Sequence, residues 1–90
     1  MSTRQGTRRG EPVGAEGRYE TADFYLACYL RCVGFGLEGT RREGRRVVFL
    51  LADRADREAA LLAYYRNEGG VAPLSFVRMI QEMKSLIHNL

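Results

Sequence analysis

The 90-residue sequence is poor in several residue types that mark particular classes of protein. It has no tryptophan, one histidine, two cysteines and no long hydrophobic run. No apolar segment approaches the roughly 20 residues of a membrane-spanning helix, and the polar start lacks the apolar core of a signal peptide. We therefore expect a cytoplasmic protein whose thiols stay reduced.

The first 18 residues differ in composition from the rest. They hold four glycines, four arginines and no aromatic residue. Their isolated apolar side chains cannot bury enough surface to offset the entropy lost on ordering. We predict a flexible basic leader over residues 1–18 and a single small domain over residues 19–90. A domain of this size has a marginal core, for which homo-oligomerisation is one ordinary remedy.

The formal net charge of +3 is unevenly distributed. Residues 41–46 hold four arginines against one glutamate, whereas residues 53–68 hold three arginines against four acids. The basic hairpin and leader favour an anionic partner. Excess charge that serves only solubility, or a genome biased toward arginine, would leave the same pattern.

Residues 22–33 predict a first helix at the centre of the fold. Thr21 is a suitable N-cap, and Gly34 suits the left-handed position that ends helices. The segment FYLACYLRCV is apolar nearly all round, so we expect the helix to be covered on more than one side.

A β-hairpin is predicted next. Residues 35–40 alternate weakly, and residues 47–51 are apolar on both faces. Between them, Arg42, Glu43 and Gly44 predict a three-residue loop with a positive φ at the glycine. A further helix or a second copy of the chain must then cover the second apolar face.

Two more helices complete the predicted fold. The second is capped by Asp53 or Asp56, runs to about Asn67 and is ended by Gly69–Gly70, while Pro73 suits the first position of the third. The apolar stripe of the third helix is a candidate partner interface and comprises Phe76, Ile80, Met83 and Ile87. The fold class is α+β, in the order α-β-β-α-α, with an antiparallel β-hairpin packed on three helices.

Several of these segments together form a recognisable sequence pattern. YETADFYLACYLRCVGF, GRRVVFLLAD, the Tyr64–Tyr65 pair and VAPLSFVRMIQEMKSLI together resemble a family of short bacterial proteins catalogued only as a domain of unknown function. The resemblance covers residues 19–88 and implies the fold, but it brings no catalytic or binding residues. Family members often have an acidic cap where this chain has Ala72, so we expect the third helix to start about 1 kcal/mol less stably.

The residues that suggest a metal site or catalysis have simpler interpretations. Cys28 and Cys32 lie on one side of a helix, but zinc needs four ligands or three and a water, and His88 is the only other soft ligand. Buried, unreactive thiols fit better. A catalytic histidine would need a partner nucleophile or acid. We predict no metal, no cofactor and no catalytic residue.

Two other motifs resemble ligand-binding sites but have simpler structural explanations. Asp53, Asp56 and Glu58 are carboxylates that suit Mg²⁺, but helix starts favour acids, and Arg54 and Arg57 would neutralise them. GFGLEG at residues 34–39 lacks the preceding strand and following helix that a dinucleotide site requires.

The arginine cluster TRREGRR gives the main functional hypothesis. The candidate nucleic-acid-binding side chains are Arg41, Arg42, Arg45 and Arg46 of the hairpin, with Arg8 and Arg9 of the leader. Only Glu43 and Glu38 are near enough in sequence to relieve repulsion at the hairpin. Exposed guanidinium groups on a ribbon suit phosphate contacts in a groove.

We therefore predict a non-enzymatic accessory module that contacts nucleic acid mainly through phosphates, with no small-molecule substrate. Such binding is sequence-tolerant and salt-sensitive. The alternative is a protein–protein adaptor or homo-oligomeric subunit that docks through the third helix. A third interpretation is that the arginines form only the solvated tip of a hairpin and have no binding role. Of the four helical tyrosines, one or two are expected at the surface, where bases can stack beside arginines.

Overall fold

The computed structural model describes residues 17–90, so most of the predicted leader lies outside the described residues. The elements are β1 (Arg18–Thr21), α1 (Phe24–Cys32), β2 (Leu37–Glu43), β3 (Arg46–Ala52), α2 (Arg57–Tyr65) and α3 (Pro73–His88). The α+β class and the hairpin packed on three helices are confirmed. The order differs from the prediction by β1, which precedes the first helix and begins at Arg18, inside the predicted leader.

The sheet is antiparallel throughout and has the order β1-β3-β2. β3 is therefore its central strand and pairs on both edges, with a bulge in β2 between Leu37 and Gly39. Because side chains alternate along a strand, Phe49 and Leu51 enter the core beside α1, whereas Val48 and Leu50 lie on the opposite face.

α1 is the centre of the fold, as predicted. Its five consecutive residues from Leu26 to Leu30 are all buried, which requires cover on every side of the helix. α2, α3 and the sheet supply that cover, and α3 contributes the fully buried Met83.

Local hydrogen bonds set both ends of α1. The N-cap is Asp23 and not the predicted Thr21: Asp23 Oδ1 accepts a hydrogen bond from the Leu26 N–H at 3.1 Å. Thr21 belongs to β1, and its hydroxyl accepts from the Asp23 N–H instead. Gly34, at φ +106°, ends the helix as predicted, and the Phe35 N–H bonds back to the last turn, as in a Schellman motif.

α2 ends differently from the prediction. It stops at Tyr65, and Asn67, with φ +59°, follows it in the left-handed conformation, ahead of the Gly69–Gly70 pair that was predicted to end the helix. Gly69 has another role, because a methyl group there would overlap the ring and hydroxyl of Tyr29. The N-cap of α2 is Asp56, one of the two candidates, although its side chain makes no capping hydrogen bond.

α3 begins at Pro73, as predicted, and its N-cap Ala72 supplies no side-chain hydrogen bond. Among residues 17–90, no helix combines the length and apolar character needed to span a bilayer.

Candidate functional site

The hairpin tip is a two-residue turn and not the predicted three-residue loop. Glu43 and Arg46 form the last strand pair, leaving Gly44 and Arg45 as the loop. Gly44 has φ +63°, whereas Arg45 is outside the positive-φ region. Glycine at the first central position identifies a type II′ turn, whose twist matches that of the flanking strands.

The strand register sorts the tip arginines onto two faces. Arg41 is paired with Val48 and Arg42 with Val47, and directly paired residues project to the same face. Arg41 therefore lies on the outer face of the sheet, opposite the helices. Arg42 lies on the face that packs against α1, at the end nearest the turn.

Arg41 is held by two carboxylates. Its guanidinium donates to Glu20 Oε1 at 2.7 Å and Oε2 at 3.3 Å, and also to Glu43 Oε2 at 2.8 Å. The hydrogen bond from Arg41 lowers the pKa of the Glu20 carboxyl below its ordinary value, and both carboxylates raise the pKa of Arg41. Glu20 lies on β1, so the sequence analysis did not identify it as a partner.

The Arg41–Glu20 pair also covers the outer face of the sheet. Glu20 pairs with Leu50 on one side of β3 and Arg41 with Val48 on the other, so the ion pair crosses the central strand. Val48 is only 5% exposed although it lies outside the core cluster. Side chains within one chain thus provide cover that we had assigned to a further helix or a second copy.

The remaining tip arginines are held less firmly. Arg46 lies 3.7 Å from Glu43, a long contact to a carboxylate that Arg41 also binds. Arg42 and Arg45 are exposed, and neither has a hydrogen-bond or ion-pair partner within residues 17–90. The tip therefore has two bound and two available guanidinium groups.

Two other predicted binding residues cannot be placed at this tip. Arg8 and Arg9 lie outside the described residues. Glu38, expected to neutralise the hairpin, instead pairs with Arg18 of β1 at 3.5 Å.

The predicted partner stripe of α3 packs largely against the protein's own core. Met83 is fully buried, and the other three members are half-buried against the core cluster: Phe76, Ile80 and Ile87. Met83 therefore has no surface to offer a partner, which corrects the prediction at that residue. Other apolar side chains of this helix and the chain end are exposed: Leu74, Val77, Leu86 and Leu90.

The tyrosines divide between core and surface. Tyr29 is buried, and its ring centroid lies 5.3 Å from that of Tyr64. Tyr25 is 50% exposed and Tyr65 is 65% exposed. These two are the surface tyrosines that the sequence analysis could not identify individually.

The cysteines are free thiols, with Cys28 buried and Cys32 half-buried. Burial, together with the nearby Cys32 thiol, raises the pKa of Cys28 to about 11. Cys32 contacts the Ser75 carbonyl oxygen at 3.8 Å. No group of three or more histidine, cysteine or acidic side chains in the described part of the chain is arranged to hold a metal ion.

Two of the three acids at the start of α2 are paired with the interleaved arginines, as predicted, whereas Glu58 has no ion-pair partner within residues 17–90. Asp53, whose side chain is 4% exposed, accepts from Arg57 Nε at 3.1 Å, and Arg54 binds Asp56 at 2.7 Å. Arg57 also stacks 4.8 Å from the ring centre of Tyr19. These contacts hold the β3–α2 connection on the fold.

Two of the open grooves in the described part of the chain lie on the helical side of the domain. One, of about 430 Å³, includes the Arg31–Glu82 ion pair and Leu86. The other, of about 200 Å³, lies between Tyr29 and Phe76. The first groove also includes Ser85, but the Glu82 carboxylate there binds Arg31, and no hydrogen bond joins it to Ser85 within residues 17–90.

The geometry defines a small α+β domain whose ion-paired sheet ends in a turn with two available arginines. The chain matches the family described as "Domain of unknown function (DUF5659)" over residues 16–89. It belongs to that family, which confirms the resemblance seen in the sequence. Comparisons with curated proteins and with solved structures found no match.

Proposed function

We propose that the protein is a non-enzymatic accessory module that contacts nucleic-acid phosphates through its hairpin tip. The supporting observation is that Arg42 and Arg45 are exposed and have no carboxylate partner within residues 17–90. A guanidinium group matches the geometry of a phosphate and can bind it through two parallel hydrogen bonds. Arg46 and the leader arginines Arg8 and Arg9 would add further contacts.

The tip chemistry supports contact to phosphate more than readout of sequence. Its available side chains are arginines on a narrow ribbon, and the nearest carboxylates are occupied by Arg41 and Arg46. Phosphate contacts carry no sequence information directly. Binding should therefore tolerate many sequences and weaken steeply as salt rises.

A salt titration of the Arg42→Ala/Arg45→Ala double variant tests this function. Loss of two phosphate contacts should reduce the slope of log K against log salt by about 1.4–1.8, which lowers affinity about 25- to 60-fold at 0.1 M salt. Fluorescence anisotropy with labelled oligonucleotides measures both quantities. The proposal is wrong if the wild-type protein binds no oligonucleotide at low salt.

The matched control is Arg66→Ala/Arg78→Ala, which removes the same charge from exposed positions beyond α2 and on α3. We expect a much smaller change in slope. Equal losses in the two double variants would show that general charge, and not the tip, attracts the nucleic acid.

A second candidate is an adaptor or homo-oligomeric subunit that docks through the outer side of α3. The exposure of Leu74, Val77 and Leu86 favours it. Sedimentation of a concentration series tests self-association. Val77→Glu should abolish it, whereas Ala59→Glu, which adds the same charge at an exposed position of α2, should leave it intact. Association that survives Val77→Glu would exclude this surface.

A further inference from the structure

Tyr25 is an aromatic side chain that the core does not use. It is 50% exposed and does not belong to the core cluster or to the residues packed on it. Its ring is supported by Phe24, edge to face, with centroids 5.2 Å apart. A half-exposed ring with one supported side leaves an aromatic surface open.

The fold places the helix turn that carries this ring on the same face of the sheet as Arg42. The Phe24 ring lies 6.0 Å from Phe49, and the next residue of β3 on that face, two positions nearer the turn, is Val47. Val47 is paired with Arg42, and residues two apart on a strand are separated by about 6.8 Å. The start of α1, which carries Tyr25, therefore lies on the same face of the sheet as Arg42 and against the middle of β3.

The direction of α1 agrees with this placement. The helix begins beside Phe49, and the carbonyl oxygen of its C-cap, Val33, accepts from Arg54 beyond the far end of β3. The first turn, which contains Tyr25, is consequently the turn of α1 nearest the hairpin tip.

We infer that the tip binds single-stranded nucleic acid, with Tyr25 stacking on a base while Arg42 and Arg45 contact phosphates. This inference rests on the proposed function and narrows its substrate. Exposed aromatic rings beside basic groups bind single strands because every base has a π-face to stack on. In a duplex the bases already stack on one another, so an isolated ring at the protein surface gains no such contact.

The nearest acids do not prevent this arrangement. Asp23 is exposed beside Phe24, but it caps α1 and so lies at the positive end of the helix dipole. Glu43 is bound by Arg41 and Arg46. Asp23→Asn preserves a capping oxygen and removes the charge, so it should tighten binding of the same strand.

The experiment compares the full-length wild type with Tyr25→Ala, Tyr25→Phe and the control Tyr65→Ala. The probes are labelled oligothymidylate, oligouridylate and a DNA duplex, each about 20 nucleotides or base pairs long, which exceeds the ~4–16 nucleotides of typical single-strand sites. Anisotropy is measured between about 50 and 200 mM salt. The thymidylate and uridylate probes distinguish DNA from RNA.

Tyr25→Ala should weaken single-strand binding by about 5- to 150-fold without changing its salt slope, since no charge is lost. Tyr25→Phe and Tyr65→Ala should bind like wild type, and duplex binding should not respond to Tyr25. Thermal melting checks that each variant is folded.

The outcomes separate this inference from the proposed function. If the wild type prefers the duplex, or if Tyr25→Ala binds single strands normally, the stacking role is overturned while phosphate contact stands. If no probe binds at low salt, both proposals fail together.

Discussion

The proposed contact with nucleic acid predicts that releasing Arg41 from Glu20 strengthens binding. Glu20→Gln replaces a carboxylate that accepts two hydrogen bonds from Arg41 with a neutral amide of similar shape. Four arginines and two glutamates, Glu20 and Glu43, surround the tip, so the substitution raises its net charge from +2 to +3. The freed guanidinium is then able to bind a phosphate.

The gain can be estimated from counterion release. One additional contact to a single strand raises the slope of log K against log salt by about 0.7, which corresponds to about fivefold tighter binding at 0.1 M salt. This is an upper value, because Glu43 still binds Arg41 at 2.8 Å. Anisotropy titrations at several salt concentrations give the slope and the affinity together.

Acid should have a similar effect in the wild-type protein. Arg41 lowers the pKa of Glu20 from its ordinary 4.5, so the ion pair is fully present above pH 4.5 and is lost as the pH falls through the lowered pKa. At neutral pH Arg41 therefore stays bound to Glu20, and the substitution is the cleaner means of release.

Glu68→Gln is the control for Glu20→Gln, since it removes the same charge from an exposed loop beyond α2. It should change the slope little. If Glu20→Gln leaves the slope at the wild-type value, or if Glu68→Gln raises it equally, then the Arg41–Glu20 pair does not limit binding and our description of the tip is wrong.

Three further predictions concern the fold. Gly69→Ala should lower the free energy of unfolding by about 1–3 kcal/mol, because the new methyl group overlaps the buried ring of Tyr29. The control Gly70→Ala, which has open space around it, should not. Equal melting temperatures for the two variants would contradict the close approach of Gly69 to Tyr29. Ala72→Asp should add about 1 kcal/mol in urea unfolding by capping α3, and an unchanged midpoint would show that the cap does not form. The pKa of Cys28 is about 11 against an ordinary 9.0, so its thiolate fraction at pH 8 should be about one in a thousand. A thiol reagent should therefore label Cys32 alone in the native protein and both cysteines in denaturant. Rapid labelling of Cys28 in the native protein would contradict its burial.

The features that could be predicted from the sequence depend on short-range conformational preferences. Gly34 ends α1 because glycine adopts positive φ without a steric penalty, and Pro73 begins α3 because its fixed φ suits the first helical turn. The central position of α1 follows from a segment that is apolar nearly all round. Each inference used only a residue and its immediate neighbours.

β1 could not be inferred in the same way. Its four residues, Arg18–Thr21, form a strand because β3 offers them a free edge, and that edge becomes apparent only once the hairpin is assembled. The sequence did contain an indirect signal, since β3 is apolar on both faces and needed additional cover. The composition of β1, four polar and aromatic residues, does not show that this segment supplies the cover.

The division of the tip arginines depends on the turn length. A three-residue loop over Arg42–Gly44 would have placed Arg41 opposite Arg45, and like charges directly opposite are destabilising. The observed two-residue turn places Glu43 opposite Arg46 instead, an attractive pair, and turns Arg41 toward Glu20. One residue of loop length thus decides which guanidinium groups are neutralised, and it leaves Arg42 and Arg45 without a carboxylate partner within residues 17–90.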